Sequence, residues 1–524
     1  MHKLVFKDIK FLVDICDVSG GLLNAFIYIE DGTKTFSFFV NMEFEIVPDR
    51  CDLCVNVRNG KNSVSDILSC RMIDRTIRPL LDNIKLSINI TCLEYGYTKK
   101  HIIYAGFLAF NYVFSPSVHF NWIEESDIDL FISHSGDAVL SMEMCGNEIS
   151  ANRICDYVNE ALLLKLPEFK AENSVVIEKS DVHVCFKARC DDRDSLNIRN
   201  INIVNHHKGD SVLFTRGKTS VLTQMNYNIF GEGESVFNYE FSGSRKNRRE
   251  IGHGDLIRKS FQYIIPSFMQ VNSSSFVQNC DGSSSMGSVC GLSMCLSNLG
   301  CVNKLVAGVT VGSYFIRKNA LTYIVDMTAE EDANVSNMDF KCSGTIKGFN
   351  AIQMDCKYVV KHNFQKIFKI AKSSLVDIMD KMKSKIFKVN QFFKEYALDA
   401  TRVGVFIGTN GKKIKKISAC SNAMIRVSKT GLCVVKQEDF KIFEEFYHFY
   451  NYCSIVESKL VCSLSDYKGN FSLVLKEKYD KKSKSINTAF GEILLHKLYT
   501  EDIQKDEAIC CSVSDGQLII KKVY

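Results

Sequence analysis

The sequence predicts a multi-domain α/β (α+β) protein. At 524 residues the chain exceeds what a single hydrophobic core can fill. β-rich runs such as Thr35 to Val40 alternate with helical stretches such as Val64 to Ile77, and Gly and Ser clusters punctuate them. With 46% apolar and 24% charged residues, neither wholesale disorder nor a fibrous assembly has compositional support.

Residues 1–168 read as one α/β domain, with helices over Val64 to Ile77 and Ser150 to Leu166. Residues 169–188 are polar and short in element length, which marks a connector. A second α/β domain follows over 189–385. In it, Ser284 to Leu299 suits a helix with a small-residue face, closed by Gly300. Leu305 to Ile316 reads as the buried strand entered from that helix. Phe364, Ile367, Phe368, Ala371, Leu375, Ile378 and Met382 recur at three- and four-residue steps, the signature of an amphipathic helix packed on a core. Residues 397–450 form a smaller third unit, and residues 452–524 a fourth unit of short strands.

No apolar run approaches the length that spans a bilayer, and Lys and Asp interrupt the apolar residues of the opening MHKLVFKDIKFLVDIC. The expectation is a cytoplasmic protein without signal peptide or membrane anchor. The 21 cysteines are odd in number and scattered, as suits reduced thiols. Cys51 and Cys54 form one CxxC, but no second pair at zinc-site spacing accompanies it. A net charge of +5 excludes a wholly basic nucleic-acid wrap. Charge is instead concentrated between Thr401 and Lys436, which holds eight Lys and Arg and no acidic residue.

Four segments carry residue types suited to chemistry on phosphates. Asp281-Gly-Ser-Ser-Ser-Met286 stands before a helix, where free backbone N–H groups and the hydroxyls of Ser283, Ser284 and Ser285 can cradle an anion; a simple serine N-cap is the plainer alternative. In Glu330 to Lys341, Asp332 and Asp339 are candidates to hold a divalent cation, although an acidic loop is also ordinary solvated surface. Arg248 and Arg249 can grip a phosphodiester in bidentate fashion, and His253 can move a proton or contact RNA; paired surface arginines are also common. Finally, Gly408-Thr-Asn-Gly411 makes a GxxG turn between apolar runs, with Lys412 and Lys413 at the opening of the next helix. This matches a KH module that clamps single strands.

In order and spacing, SCRMIDRTIRPL (Ser69 to Leu80), RCDDRD, LFTRGKTSVL, RREIGHG, NCDGSSSMGSVCG, NMDFKCSGTIKG and AIQMDCK resemble the polynucleotide phosphorylases over nearly the whole chain. The resemblance implies two tandem ribonuclease PH-like folds, a C-terminal KH domain and a small β-barrel OB-fold. It implies phosphate-dependent 3′-to-5′ exoribonuclease activity that releases nucleoside diphosphates and can run backwards as polymerisation. Single-stranded RNA, inorganic phosphate as co-substrate, Mg²⁺ or Mn²⁺, a homotrimeric ring and RNA-degradation complex partners are implied with it. Carried over, Ser284 and Ser285 would hold the attacking phosphate, Arg248, Arg249 and His253 would contact phosphate and RNA, and Asp332, Asp339 and Lys341 would form the metal and acid centre. Arg71, Arg75 and Arg78 share a helix face and would lie near RNA, unless Arg71 and Arg78 pair with Asp74 as a structural network.

The chain departs from that pattern in places. Where two aromatics and two basic residues usually form the channel constriction it has Val55-Asn-Val-Arg58, which leaves Arg58 for RNA. One extra residue separates Asp332 from Asp339, the connector is short, and only FGEILLHKL and a closing LIIKKV trace the OB-fold. The first fold has no serine turn of its own, so a structural and RNA-guiding role is expected there. A non-catalytic, RNA-threading ring subunit of an exosome-like assembly is the rival reading.

Overall fold

The computed structural model describes residues 2–48, 51–58, 63–166, 170–171, 174–177, 193–241, 248–317, 320–387, 392–437 and 440–452, and beyond these short segments between 454 and 523. Most of the expected connector, 169–188, lies outside the described residues; Val175–Val176 is a short strand within it.

The same order of elements occurs twice. In the first half a six-stranded sheet ends with strands Ile84–Cys92 and Asp52–Arg58 side by side and parallel. The helix Val64–Ile77 makes the crossover between them, and the helix Lys99–Val113 follows. In the second half a five-stranded sheet ends with the parallel pair Met269–Asn279 and Val236–Phe241. Here the crossover helix is Arg248–Phe261 and the following helix is Ser284–Asn298. Parallel neighbours require such a crossover, which is why each half contains one helix in that place. Local sequence fixes the helix ends. Ser63 and Asp66 form a reciprocal cap at the start of Val64–Ile77, and Pro79 stops it.

The halves then merge. Strands His119–Glu125, Ile128–Ser135 and Ala138–Ile149 of the first half continue one seven-stranded sheet with Phe349–Cys356, Met338–Gly344, Ala307–Arg317 and Ala320–Val325 of the second. The seam is antiparallel, with Glu143 opposite Gln353 and Ser141 opposite Asp355. Ile128, Leu130, Met142, Ile154 and Val158 accordingly share a buried core with the second half. The expected boundary at residue 168 therefore divides the chain without dividing a core.

The strand read as Leu305 to Ile316 runs over Ala307–Arg317, and the amphipathic helix over Phe364–Lys383, capped by Asn363. Helix Ser284–Asn298 is buried on every side, and Gly300, at φ +67°, ends it. At Gly291 a Cβ would stand 2.5 Å from the Thr223 hydroxyl, so only glycine lets this helix sit on its sheet.

The third unit begins earlier than residue 397. Strand Phe392–Ala397 pairs with Leu432–Gln437, which pairs with Met424–Val427, and helices Lys412–Ser421 and Lys441–Tyr452 complete the unit. It docks on the second half through Lys436. The Lys436 ammonium bonds Leu299 O at 2.7 Å and Tyr227 Oη at 3.1 Å, and lies 5.0 Å from the Phe393 ring centre. In the fourth unit the described strands make two hairpins and the sheet of Asn470–Val474, Ala508–Ser514 and Gln517–Val523; closure of a barrel lies outside the described residues.

A buried ion pair ties separate strands of the second half together. Arg216 Nε meets Asp326 Oδ1 at 2.8 Å with both side chains out of solvent, and Arg216 also bonds Gly308 O at 2.9 Å. The Arg199 backbone N–H donates to Asp326 Oδ2 at 2.9 Å. Burial alone would push the Asp326 carboxyl up, but Arg216 and Arg199 hold it below the usual range. Asp326→Asn leaves a buried guanidinium uncompensated and should destabilise the fold by about 3–5 kcal/mol in chemical denaturation; a change within experimental error would show that the pair is dispensable.

Candidate active site

The serine turn and the acidic segment meet in one cleft. Arg249, His253, Cys280, Gly282, Ser283, Ser284, Ser285, Thr310, Met327, Thr328, Ala329, Asp332, Asp339 and Lys341 line a cavity of about 240 Å³. They come from several separate places in the chain. Arg249 and His253 lie on the crossover helix, the serines open helix Ser284–Asn298, Asp332 sits in the short helix Ala329–Asn334, and Asp339 and Lys341 lie on strand Met338–Gly344.

The serine turn is not a simple N-cap. Ser283 occupies the cap position yet its side chain makes no capping hydrogen bond; its hydroxyl lies 3.4 Å from that of Ser285. The helix start thus faces the cleft with its backbone donors uncapped by a side chain, which is the arrangement that binds anions. Gly282, at φ +121°, allows the turn: a Cβ there would stand 2.4 Å from Met327 O. Ser284 Oγ is 2.6 Å from Tyr239 Oη, and the Tyr239 ring packs edge-on against His253 with centroids 4.8 Å apart.

Asp281 ties the two loops together. Its carboxylate accepts from the Ala329 N–H at 3.2 Å, and its own N–H donates to Thr219 Oγ1 at 3.1 Å. Thr328 and Glu331 form a reciprocal cap on helix Ala329–Asn334, which turns Asp332 toward the cleft. Beneath them Arg193 clamps the turn by donating to Val325 O and Asp326 O, each at 2.6 Å.

Charge is arranged unevenly. Lys341 Nζ lies 2.5 Å from Asp339 Oδ2, while Asp339 Oδ1 is buried with no hydrogen-bond partner among the described residues. Burial raises the Asp339 carboxyl pKa, Lys341 opposes the rise, and Asp332 and Asp355 add to it. Asp332 lines the same cleft but is half-exposed and paired with Lys357 at 2.9 Å. Among the described residues no group of three or more His, Cys, Asp or Glu has metal-site geometry, and the carboxylates that line the cleft are Asp332 and Asp339. A hard divalent ion takes one or two carboxylates and fills its shell with water and phosphate oxygens, so these donors suit one in kind. The orphaned Asp339 oxygen is the point where it fits.

Other expected site residues lie elsewhere. The Arg248 guanidinium turns away from the cleft to Val55 O at 3.1 Å and Asn56 Oδ1 at 3.0 Å, so it joins the two halves where a phosphate contact was expected. Arg75 is buried between Glu143 at 3.4 Å and Asp355 at 3.0 Å, a structural network where RNA contact was expected. Arg78 pairs with Asp74 at 2.7 Å. Arg71 reaches Arg248 O at 3.3 Å and not Asp74, with its Nε buried and unpartnered among the described residues. Arg58 is exposed at the end of its strand. Gly408 and Gly411 both take φ +71°, and Lys412 opens the helix that follows; a Cβ on Gly408 would strike the half-buried side chain of Lys413.

Sequence reasoning did not single out Tyr239, Thr310 or Asp281. It used RCDDRD and LFTRG only as markers of resemblance, although Arg193 and Arg216 within them brace the site floor.

No protein-family model matches the chain. Among curated proteins, the polyribonucleotide nucleotidyltransferase of Ruthia magnifica subsp. Calyptogena magnifica is 29% identical over 297 residues, 49% of this chain and 42% of that protein. The chain is similar in sequence to polyribonucleotide nucleotidyltransferases. The enzyme of that name from Endomicrobium trichonymphae is also 29% identical, over 360 residues covering 59% of this chain and 52% of that one. The chain spans about half the length of these curated relatives. A chain of the Archaeoglobus fulgidus exosome with RNA bound to the active site aligns with a TM-score of 0.31 at 17% identity, over 37% of this chain and 92% of that one.

His253 gives this site a pH signature. Burial and the nearby charges of Lys341, Arg249, Arg71 and Arg75 hold its pKa well below the ordinary value, and its Nδ1 is buried without a partner among the described residues. An unfolded chain takes up this proton near about pH 6.5 and the folded chain does not, so acidification through that range costs stability. The His253 ring signals in NMR should stay those of a neutral imidazole from about pH 8 to pH 6, and a titration centred near the ordinary value would contradict the buried placement.

Proposed function

We propose that this chain is a polynucleotide phosphorylase, a phosphate-dependent 3′-to-5′ exoribonuclease that converts RNA to nucleoside diphosphates. The observation that carries this reading is the convergence of the uncapped serine helix start with Asp339, Lys341, Arg249 and His253 around one small cleft. The similarity to polyribonucleotide nucleotidyltransferases supports it. A non-catalytic ring subunit would leave that convergence without a purpose.

Phosphate sits at the helix start, held by backbone N–H groups and the hydroxyls of Ser284 and Ser285. One of its oxygens attacks the phosphorus of the terminal phosphodiester, and the bond to the 3′ oxygen of the preceding nucleotide breaks. Lys341 and Arg249 balance the charge that spreads over the transferring group. The neutral His253 adds no positive charge and can share a hydrogen bond with phosphate or RNA. The departing 3′ oxygen takes up a proton from water held beside Asp332 and Asp339. Asp332 and Asp339 would hold Mg²⁺ or Mn²⁺, which would neutralise phosphoryl oxygens. One phosphodiester bond is exchanged for a phosphoanhydride bond of comparable free energy, so nucleoside diphosphates should be polymerised in the reverse direction.

Single-stranded RNA is the proposed substrate, with the Gly408 to Lys413 turn gripping its backbone. A homotrimer in the cytoplasm, joined by partners in RNA degradation, completes the reading. No helix among the described residues is long and apolar enough to cross a membrane.

Labelled RNA incubated with the purified chain should yield nucleoside diphosphates only when inorganic phosphate is present. Monophosphates released by water, or no release at all, would overturn the reading. Ser284→Ala combined with Ser285→Ala should lower the phosphate-dependent rate by at least about 100-fold, the scale on which loss of transition-state donors acts.

A further inference from the structure

A row of four asparagines crosses the outer face of the first sheet. Asn24, Asn41, Asn89 and Asn56 stand side by side on four neighbouring strands, each in register with the next. Their side-chain amides form one directed chain. Arg248 Nη2 donates to Asn56 Oδ1 at 3.0 Å, Asn56 Nδ2 to Asn89 Oδ1 at 3.3 Å, Asn89 Nδ2 to Asn41 Oδ1 at 3.4 Å, and Asn41 Nδ2 to Asn24 Oδ1 at 3.0 Å. Every amide dipole points the same way, away from a guanidinium, so each link polarises the next. The row spans three inter-strand steps, roughly 14 Å.

Packing does not account for this row. Its members alternate with the buried residues of their strands and face away from the core, half exposed. Each amide oxygen has a second lone pair, and Asn24 and Asn41 keep N–H groups with no acceptor among the described residues. Phe26 and Phe39 lie on the same face, two residues from Asn24 and Asn41, with ring centroids 5.1 Å apart. The row begins at Arg248, next in the chain to Arg249 of the cleft.

The geometry points to a track for single-stranded RNA along this face, in which the amides bond base edges and ribose hydroxyls and Phe26 and Phe39 offer rings for stacking. This rests on the reading of the cleft as an RNA 3′-end site. The face favours bases over phosphates, because Asp14 and Glu43 stand beside the row and Arg58 and Lys85 only at its margins. Amides carry donors and acceptors that every base can match, so the grip is tolerant of sequence. The strand Asp52–Arg58 shows how the track is built. Leu53, Val55 and Val57 point into the core, and Asp52, Cys54, Asn56 and Arg58 look outward.

Asn41→Val with Asn89→Val breaks the row with residues that strands favour. In fluorescence anisotropy on the full chain, affinity for a single-stranded RNA of about twenty nucleotides should fall about tenfold, and for one of about five nucleotides far less. The salt dependence should keep its slope, since no phosphate contact is lost. Photo-crosslinking of thiouridine-labelled RNA to the unmodified chain should label peptides containing Phe26 or Phe39, which tests the track without any variant. Unchanged long-RNA affinity in a folded double variant, or crosslinks confined to other parts of the chain, would overturn the proposal. A change in assembly mass with unaltered RNA affinity per chain would also overturn it and assign the face to contact between copies. Binding is read separately from turnover, so an inactive cleft with an intact track, or the reverse, would be recognised.

Discussion

Everything in the second half depends on the seam where strand Ala138–Ile149 meets Phe349–Cys356. Glu143 sits on that seam, largely shielded from solvent, and gathers Lys99 at 3.0 Å, Arg75 at 3.4 Å and Lys259 around one carboxylate. Lys259 also meets Asp255 at 2.9 Å, and Arg75 continues to Asp355. Burial works against ionising Glu143, but Lys259, Lys99 and Arg75 hold its carboxyl well below the usual range. A buried charge left unpaired is costly, so this cluster tolerates little relative movement of the halves. Two of its members, Asp255 and Lys259, lie on the helix that carries Arg249 and His253, and the seam therefore sets where those side chains point.

The cleft is assembled by loops that brace one another more than by any single element. Asp281 holds the acidic helix from the serine turn, Arg193 clamps the turn below, and Gly282 lets backbone approach backbone. Within this frame the ionisable groups diverge. His253 is kept neutral among cations, while Asp339 is pushed toward its protonated form beside Lys341. Such opposed settings of neighbouring groups mark sites where protons and charge are handled.

Much of this was legible in the residues. The helix Val64–Ile77 was read directly, Ser284–Asn298 from its small-residue face and closing Gly300, and Phe364–Lys383 from its periodicity, while the family resemblance paired the serine turn with the Asp339 to Lys341 segment. Side-chain direction was not legible. Arg248 and Arg249 are adjacent, yet a helix turns neighbours about 100° apart, and only one faces the cleft. Arg75 read as a cation for RNA because its partners, Glu143 and Asp355, are distant in sequence. The seam was hidden for the same reason: cross-strand pairing over two hundred residues leaves no local periodicity. The asparagine row is also invisible in one dimension, since each member lies alone in its strand.

The start of helix Lys99–Val113 corresponds in topological order to the start of Ser284–Asn298, and it has a lysine where the other has a serine. That lysine is now a counter-ion of Glu143. The two helix starts are therefore not interchangeable: a hydroxyl at position 99 would strip the seam of a positive charge.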